Sequence, residues 1–355
     1  MRWRSVGFIW LAAVILLALA WGTRPADPDR GRGPPTGAAP ERTVRTGVDP
    51  PTAERLVVRD RSGGLVRAER TRWVRDRWMI TRVDASGNVA WRWPARDAFV
   101  ASALRLLATA VLLDPRAEQV EAPTEWPRRV VITHPDKDIE LSLGGAVLGG
   151  RVAGNLQRPR GAPRPVLVPE QVAEAFTLER AARLREPAPL FPVGPGPRRI
   201  RVQRGPKDPA VIVRRELGNW SASLDGEARA LDAAAVEAWI ESLAAVEESQ
   251  PARSSHEASA SWDATIAFEL TTTIGMTAGG GRRDVVQTLR LAHKTSDANL
   301  MAGVASIRVA EDDQLLQRVE IPVEIDRGSI TSVLAGFEEL LGAGEPREED
   351  RGPDT

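Results

Sequence analysis

The sequence predicts an α+β protein in which duplicated units of antiparallel strands, each followed by a helix, come after an N-terminal transmembrane helix. Three observations predict this class. Residues 5–22 form an uncharged apolar run long enough to cross a bilayer. Short apolar segments separated by Gly, Asn and Asp then indicate strands and turns. Each group of such segments is followed by apolar residues three or four positions apart, the spacing of a helix face.

The apolar run predicts membrane attachment. Two arginines precede it, and the order of basic, apolar and small residues is that of an export signal. Arginines on both sides balance under the positive-inside rule, so the very short N-terminal tail decides the orientation. We expect residues 1–22 to be a signal anchor that contacts membrane lipid through residues 5–22. The protein would cross the inner (cytoplasmic) membrane once, with its body outside the cytoplasm. The A-x-A pattern of Ala18 and Ala20 leaves secretion after cleavage at Ala20 as the alternative.

Composition divides the rest of the chain. Residues 23–53 are rich in Pro, Gly and Arg and poor in large apolar residues, so they predict a disordered tether. The following stretch of about 290 residues suffices for one large or two ordinary domains. We predict two α+β units, residues 54–200 and residues 201–341. Residues 342–355 are acidic and predict a disordered, solvated tail.

Charge and residue usage exclude several functions. The 48 basic and 48 acidic residues give zero formal net charge, so nothing predicts a nucleic-acid partner. The sequence has no cysteine, which rules out disulfides, thiolate metal ligands and thiol nucleophiles within it. His134, His256 and His293 lack the H-E-x-x-H spacing, and neither a G-x-S-x-G elbow nor a phosphate-binding glycine motif is present. We therefore predict a protein that is not an enzyme, with no catalytic residues, no metal ligands and no cofactor.

The first unit opens with two predicted hairpins. Leu56–Val58 and Leu65–Val66 flank a Ser-Gly-Gly turn. Trp78–Ile80 and Val89–Trp93 flank a turn over residues 84–88. These four segments predict a small antiparallel sheet at the start of the body.

A helix is predicted to begin at Asp97 and to end at Asp114-Pro115. Its apolar face consists of Val100, Leu104, Leu107 and Val111. The same order of strand, turn, strand and helix recurs about 135 residues later, around Trp220. The second helix has its apolar face at Val236, Ile240 and Leu243. We interpret the recurrence as an internal duplication, in which Trp78 and Trp220 occupy matching places and pack against the two helices.

The remaining elements follow the same signals. Strands are predicted at Arg129–Ile132, Asp138–Leu143, Val152–Leu156, Val166–Val168, Trp262–Leu270, Val285–Leu291, Ala305–Ala310 and Val319–Ile325. One helix is predicted from Pro169 towards Pro187, another over residues 330–341, and a mobile loop over residues 247–261. The glycine clusters at 144–145, 149–150 and 279–281 are predicted hairpin turns, because apolar strands flank them.

Several short motifs occur in a characteristic order: Ile-Glu-Leu-x-Leu-Gly (139–144), Val-Leu-Val-Pro-Glu-Gln-Val (166–172), Leu-Arg-Glu-Pro-x-x-Leu-Phe (184–191) and Gly-Asn-Trp (218–220). In this order the chain resembles the domain-of-unknown-function 4340 family over roughly residues 55–245. The resemblance implies a bacterial, membrane-anchored extracytoplasmic protein, often associated with ABC-transporter systems of the gliding-motility type. It supplies no catalytic residue. The chain departs from the family in lacking the usual tyrosine after the Leu-Gly turn.

The tryptophans are the one enrichment with a functional interpretation, since exposed tryptophans stack on sugars and anchor interfaces. Trp91, Trp93 and Trp126 are the candidate interaction surface, although packing inside the core or between the repeats is the favoured role for tryptophans in this chain. We predict a non-enzymatic accessory subunit of an ABC-type transport or envelope complex, with a membrane-protein partner. The alternative is an envelope glycan- or peptide-binding module that uses exposed tryptophans.

Overall fold

The computed structural model describes residues 42–71, 77–115, 125–147, 149–205, 208–224, 227–251, 266–274, 282–293, 298–311 and 314–342. The predicted membrane segment at 5–22, His256 and the acidic residues after 342 lie outside this part of the chain. Within the described ranges, no helix is long and apolar enough to cross a membrane.

The described residues form two antiparallel sheets, five α-helices and one 3-10 helix, Pro50–Thr52. The first sheet contains β1 (Thr43–Arg45), β2 (Arg55–Asp60), β3 (Leu65–Arg70), β4 (Trp78–Val83), β5 (Val89–Pro94), β6 (Val111–Leu113), β7 (Arg128–Thr133), β8 (Asp138–Val147), β9 (Arg151–Gln157) and β10 (Arg164–Pro169). The second contains β11 (Arg199–Gln203), β12 (Val211–Glu216), β13 (Asn219–Leu224), β14 (Glu227–Leu231), β15 (Glu248–Pro251), β16 (Ile266–Ile274), β17 (Arg283–His293), β18 (Leu300–Glu311) and β19 (Gln314–Asp326). The α-helices are α1 (Asp97–Thr109), α2 (Glu170–Ala175), α3 (Leu178–Ala182), α4 (Ala233–Ala244) and α5 (Arg327–Gly342). The prediction of antiparallel strands combined with helices is confirmed.

Both sheets have the same strand order. The ten-stranded sheet runs β1-β6-β10-β9-β8-β7-β2-β3-β4-β5, and the nine-stranded sheet, taken from β15, runs β15-β19-β18-β17-β16-β11-β12-β13-β14. Apart from β1, each strand of the first sheet therefore has a counterpart in the second, with β2–β5 matching β11–β14 and β7–β10 matching β16–β19. The helices agree too, since α1 and α4 follow β5 and β14, whereas α2 and α5 follow β10 and β19.

Trp78 and Trp220 occupy equivalent places in this arrangement. Trp78 lies opposite Arg70 across β4 and β3, and Trp220 lies opposite Arg215 across β13 and β12. Each guanidinium lies over the ring of its tryptophan, 5.3 Å from the Trp78 centroid and 5.7 Å from the Trp220 centroid. A cation above an indole face is attracted by the ring quadrupole. The same side-chain pair therefore recurs at the same register of both sheets.

Burial confirms the packing role predicted for these two tryptophans, whose exposed fractions are 4% for Trp78 and 2% for Trp220. Trp78 belongs to one buried cluster, together with the α1 residues Val100, Leu104 and Leu107. Trp220 belongs to a second buried cluster, together with the α4 residues Val236 and Leu243, with Ile240 packed at its margin. Each sheet thus buries its tryptophan in the core that its own helix helps to form.

Helix α1 ends earlier than predicted. It stops at Thr109, and Ala110 adopts an extended backbone with φ −57° and ψ 125°. Val111 was expected on the buried helix face, but it begins strand β6 and its side chain is exposed. The reason is that β6 gains hydrogen-bonded neighbours on both sides, β1 and β10, which a final helical turn would forgo.

Three other local predictions were wrong. The helix after Pro169 breaks at Phe176, and Thr177 begins α3 by accepting a hydrogen bond from the Arg180 N–H at 3.2 Å. The glycines at 144–145 lie inside β8, at an irregularity of its pairing with β9, whereas those at 149–150 do form the turn, with positive φ. Part of the predicted mobile loop is strand β15, which pairs with β19.

The folded body begins before the predicted end of the tether at residue 53. Strand β1 pairs with β6, and Val44, Val48 and Ala53 are buried. The Thr46 hydroxyl donates a hydrogen bond to the Leu107 carbonyl at 2.8 Å and so holds this segment to the end of α1. The signal in the sequence is the alternation of Val44, Thr46 and Val48, which is typical of a half-buried strand.

Truncating either equivalent tryptophan is expected to destabilise the protein strongly. Trp78→Ala and Trp220→Ala should each lower the free energy of unfolding by on the order of 3–5 kcal/mol, because a large aromatic side chain leaves a cavity in a packed core. Val89→Ala is a matched control on an exposed position of β5 and should stay within about 0.5 kcal/mol of the parent. Chemical denaturation measures all three. If either tryptophan variant changed the free energy of unfolding no more than Val89→Ala does, the packing role would be contradicted.

Candidate functional site

The three tryptophans predicted as an interaction surface lie in three different environments. Trp93 is fully buried and packs edge-on against Phe191, with ring centroids 6.3 Å apart. Trp91 is partly buried and touches both core clusters. Trp126 is partly buried and lines a surface cleft. The structure therefore does not bring the three residues together, and burial rules out Trp93 as a surface residue.

Trp91 belongs to a buried polar junction between the two sheets. The Arg185 guanidinium lies 5.2 Å from the centroid of the Trp91 ring and forms an ion pair with Glu248 of β15. The side chains of Arg185 and Glu248 are only 10% and 3% exposed. Burial lowers the pKa of Arg185 to about 10, so it remains charged at neutral pH. A charge this deeply buried requires its partner.

The segment between α3 and β11 carries further contacts across the junction. The buried side chain of Gln287, in β17, accepts a hydrogen bond from the Phe191 N–H at 3.1 Å and donates one to the Phe191 carbonyl at 2.9 Å. The guanidinium of Arg77 lies 5.2 Å from the Phe191 ring centroid and donates to the Pro192 carbonyl at 2.6 Å. The connecting segment is also bonded to the first sheet, because the Glu186 N–H donates to the Pro94 carbonyl of β5. Its apolar side chains, Leu190, Phe191 and Val193, are buried and serve packing.

Trp126 lines a cleft of about 350 Å³ at one end of the first sheet. Its walls are formed by Arg59, Asp60, Arg61, Glu125, Trp126 and Arg129. Three guanidinium groups and two carboxylates therefore surround one aromatic ring. Such a combination can bind an anionic group and, beside it, a flat apolar surface.

A second cleft, of about 440 Å³, lies at the opposite end of the first sheet. It is lined by Val131, Asp138, Glu140, Gln157, Arg158, Pro159, Arg160 and Gly161. The side chain of Arg158 donates to the Arg45 carbonyl of β1 and is thereby engaged in the fold. None of the described residues that line this cleft is aromatic, so we regard the Trp126 cleft as the stronger candidate for recognition.

His134 has a structural position. The Thr52 hydroxyl donates to the Asp49 carboxylate at 2.8 Å, so it accepts from His134, whose Nδ1 lies 3.0 Å away. In the described part of the chain, the buried Nε2 of His134 has no hydrogen-bond partner. Burial, followed by the nearby charge of Lys137, lowers the pKa of His134. The histidine fastens the start of the body to the turn between β7 and β8.

No group of three or more His, Cys, Asp or Glu side chains that could hold a metal ion occurs among the described residues. His256 lies outside them. His293 ends β17, remote along the chain from His134.

Comparisons with protein families, curated proteins and solved structures gave no match. The resemblance to the domain-of-unknown-function 4340 family therefore stays a prediction, and the functional interpretation depends on the residues of this chain.

Sequence reasoning missed Arg59 and Arg129 as partners of Trp126. The sequence places Arg59 directly after the apolar segment Leu56–Val58, and Arg129 at the start of a predicted strand. Only the pairing of β2 with β7 brings the two arginines face to face. No local signal predicts that pairing, because the two strands are far apart in the chain.

Removing one member of the buried ion pair is expected to destabilise the protein more than removing both. Glu248→Gln alone should lower the free energy of unfolding by about 3–5 kcal/mol, because Arg185 is left charged and buried. The double variant Arg185→Met with Glu248→Leu should recover most of this loss. The exposed pair Arg61 and Glu125 is the control, since Glu125→Gln should cost no more than about 1 kcal/mol. Additive losses in the double variant, measured by denaturation, would contradict the account of the junction.

Proposed function

We propose that this protein is a non-enzymatic, membrane-anchored extracytoplasmic accessory subunit of a transport or envelope complex. The observation that carries the proposal is the uncharged apolar run at residues 5–22, preceded by basic residues and followed by a Pro- and Gly-rich stretch that leads to the body at Thr43. The tether is then residues 23–42. An extended chain spans at most about 3.6 Å per residue, so this tether keeps the body within about 70 Å of the membrane.

We infer that the two sheets arose by duplication of one unit of strands and helices. The matching strand orders and the repeated Trp–Arg pair support this inference. Duplicated units provide two similar scaffolds whose outer faces can diverge, one for assembly with a partner and one for a ligand. This property suits an accessory subunit better than an enzyme, whose reacting groups must converge on one site.

The proposed partner is a membrane protein, and the motif order shared with the domain-of-unknown-function 4340 family favours an ABC-type transport system. This part of the proposal depends on the resemblance alone. Cross-linking in intact membranes, followed by purification of the protein and its bound neighbours, identifies such a partner.

The alternative function is an envelope glycan- or peptide-binding module. The Trp126 cleft favours it, because this is where a partly exposed indole is combined with several guanidinium groups. The two functions are compatible, since an accessory subunit can present a ligand to the complex that it serves.

The proposed topology predicts how a protease acts on intact spheroplasts. Added trypsin should release the body while the membrane stays sealed, and the new N-termini should follow Arg30, Arg32 or Arg42, since the Arg24–Pro25 bond resists trypsin. Cleavage after Arg45 should be much slower, because Arg45 is held in the pairing of β1 with β6. Sequencing of the released fragments measures this outcome. Protection of the body until the cells are lysed would place it in the cytoplasm and refute the proposed function.

A further inference from the structure

We propose that the Trp126 cleft binds an acidic saccharide, with the sugar carboxylate held by Arg59 and Arg129 and the sugar ring stacked on Trp126. The ligand class rests on the proposed extracytoplasmic placement, where envelope glycans are within reach. Binding itself depends only on the cleft.

Comparison of the equivalent strand pairs β2–β7 and β11–β16 shows which residues of the cleft the fold does not require. Arg55 pairs with Thr133 between β2 and β7, and Arg199 pairs with Thr271 between the equivalent strands β11 and β16. The two pairs of strands are therefore in the same register. Each residue of the first pair can be compared with its counterpart in the second.

Four residues after Arg55, Arg59 lies directly opposite Arg129. Four residues after Arg199, the counterparts are Gln203 and Ala267, an uncharged pair. Side chains directly opposite on neighbouring strands have Cβ atoms only about 5 Å apart, and like charges there are destabilising. The arginine pair thus costs stability at a place where the same fold manages without charge. An anion bound between the two guanidinium groups would offset this cost.

Neighbouring carboxylates neutralise only part of this charge. A carboxylate oxygen of Glu125 lies 2.8 Å from a guanidinium nitrogen of Arg61, and the Asp60 carboxylate accepts a hydrogen bond from the Ser62 hydroxyl at 2.6 Å. Glu140 lies 3.7 Å from Arg129, at the long end of an ion pair. Among the described residues, Arg59 has no acidic side chain within 4.0 Å. The cleft therefore offers a guanidinium group ready to bind an anion.

A glycine leaves room for Trp126 beside strand β8. A Cβ atom at Gly144 in β8 would lie 3.4 Å from Cζ3 of Trp126 and 3.1 Å from the Ala153 carbonyl oxygen. The absence of a side chain at Gly144 lets the indole approach the strand. The ring lines the cleft together with Arg59 and Arg129, with part of its surface open to solvent.

The combination selects one ligand class. Guanidinium groups bind a planar carboxylate through two parallel hydrogen bonds, and an indole face stacks on the C–H face of a pyranose ring. Inorganic phosphate would satisfy the arginines and leave Trp126 unused. A neutral sugar would use Trp126 and leave the arginine repulsion in place. A uronic acid uses both halves of the cleft.

The test is a calorimetric titration of the full chain, purified in detergent micelles, with tetragalacturonate at physiological ionic strength. We expect saturable binding to the parent, and we expect Arg59→Gln and Arg129→Gln each to weaken binding about tenfold. Trp126→Ala should weaken it by a similar factor. Trp126→Leu serves as the second variant if the alanine form unfolds, since it keeps apolar volume without an aromatic face.

The chain supplies its own control. Arg199 and Arg214 also lie opposite each other on neighbouring strands and are exposed, but neither lines the Trp126 cleft. The double variant Arg199→Gln with Arg214→Gln removes two positive charges elsewhere on the surface. Tetragalacturonate should bind it as tightly as it binds the parent. Maltotetraose, a neutral chain of the same number of sugars, should not compete.

Three outcomes would overturn the proposal. Equal loss of binding in the control variant would mean general attraction of a polyanion. Equal binding of maltotetraose would mean that the carboxylate is not recognised. Full competition by inorganic phosphate, with Trp126 dispensable, would mean a simple anion site. If the body is protected from trypsin in spheroplasts but tetragalacturonate still binds, only the proposed topology is refuted. If trypsin releases the body but tetragalacturonate does not bind, only the proposed cleft is refuted.

Discussion

Both halves of the structure depend on the same interaction: a tryptophan, Trp78 in the first sheet and Trp220 in the second, packs into the core beside the following helix. In each four-stranded meander, β2–β5 and β11–β14, the residue lies at the start of the third strand and joins the apolar face of the following helix in a single buried cluster. The guanidinium group of an arginine on the neighbouring strand lies over the ring of this tryptophan. Trp220 is buried in this way although, among the described residues, its indole N–H has no hydrogen-bond partner. Shape and apolar area therefore outweigh the cost of an unpaired donor at this position.

Joining two such cores in one chain requires a connection that is itself well packed. The segment after α3 meets this requirement through the Arg185–Glu248 ion pair and the paired hydrogen bonds between Gln287 and Phe191. Trp93 and Met79 come from the first sheet but belong to the buried cluster of the second. The polar contacts of the junction thus join the connecting segment to the second sheet, while the first sheet contributes the rings of Trp91 and Trp93. The junction leaves the ends of the first sheet open for the two clefts.

The sequence predicted what depends on local pattern. The hairpins at Leu56–Val66 and Trp78–Trp93, helix α4 and the burial of Trp220 follow from spacing and turn residues. The alternation at Val44–Val48 is a local signal that the Pro- and Gly-rich composition around it outweighed. Val111 was misassigned because its structure depends on pairing of β6 with β1, which is distant in sequence. The same limit applies to the candidate site.

In the Trp126 cleft, the tryptophan was identified from residue type, whereas Arg59 and Arg129 acquire meaning only from the register of β2 and β7. Trp93 was misassigned for the same reason. It is a strand residue near Trp91, and nothing in the sequence indicates that Phe191, far along the chain, packs against its ring. Long-range register and packing decide which tryptophans form the core and which face a ligand.

The central claim is that Trp78, Trp93 and Trp220 are packing residues whereas Trp126 is a recognition residue, and fluorine NMR tests it most directly. The full chain labelled with 5-fluorotryptophan, with resonances assigned by substitution, is measured in H₂O and D₂O and then titrated with tetragalacturonate. The account predicts a solvent isotope shift and a ligand-induced shift for Trp126, and neither for Trp78, Trp93 or Trp220. A ligand-induced shift at Trp78 or Trp220 with Trp126 unmoved would contradict it.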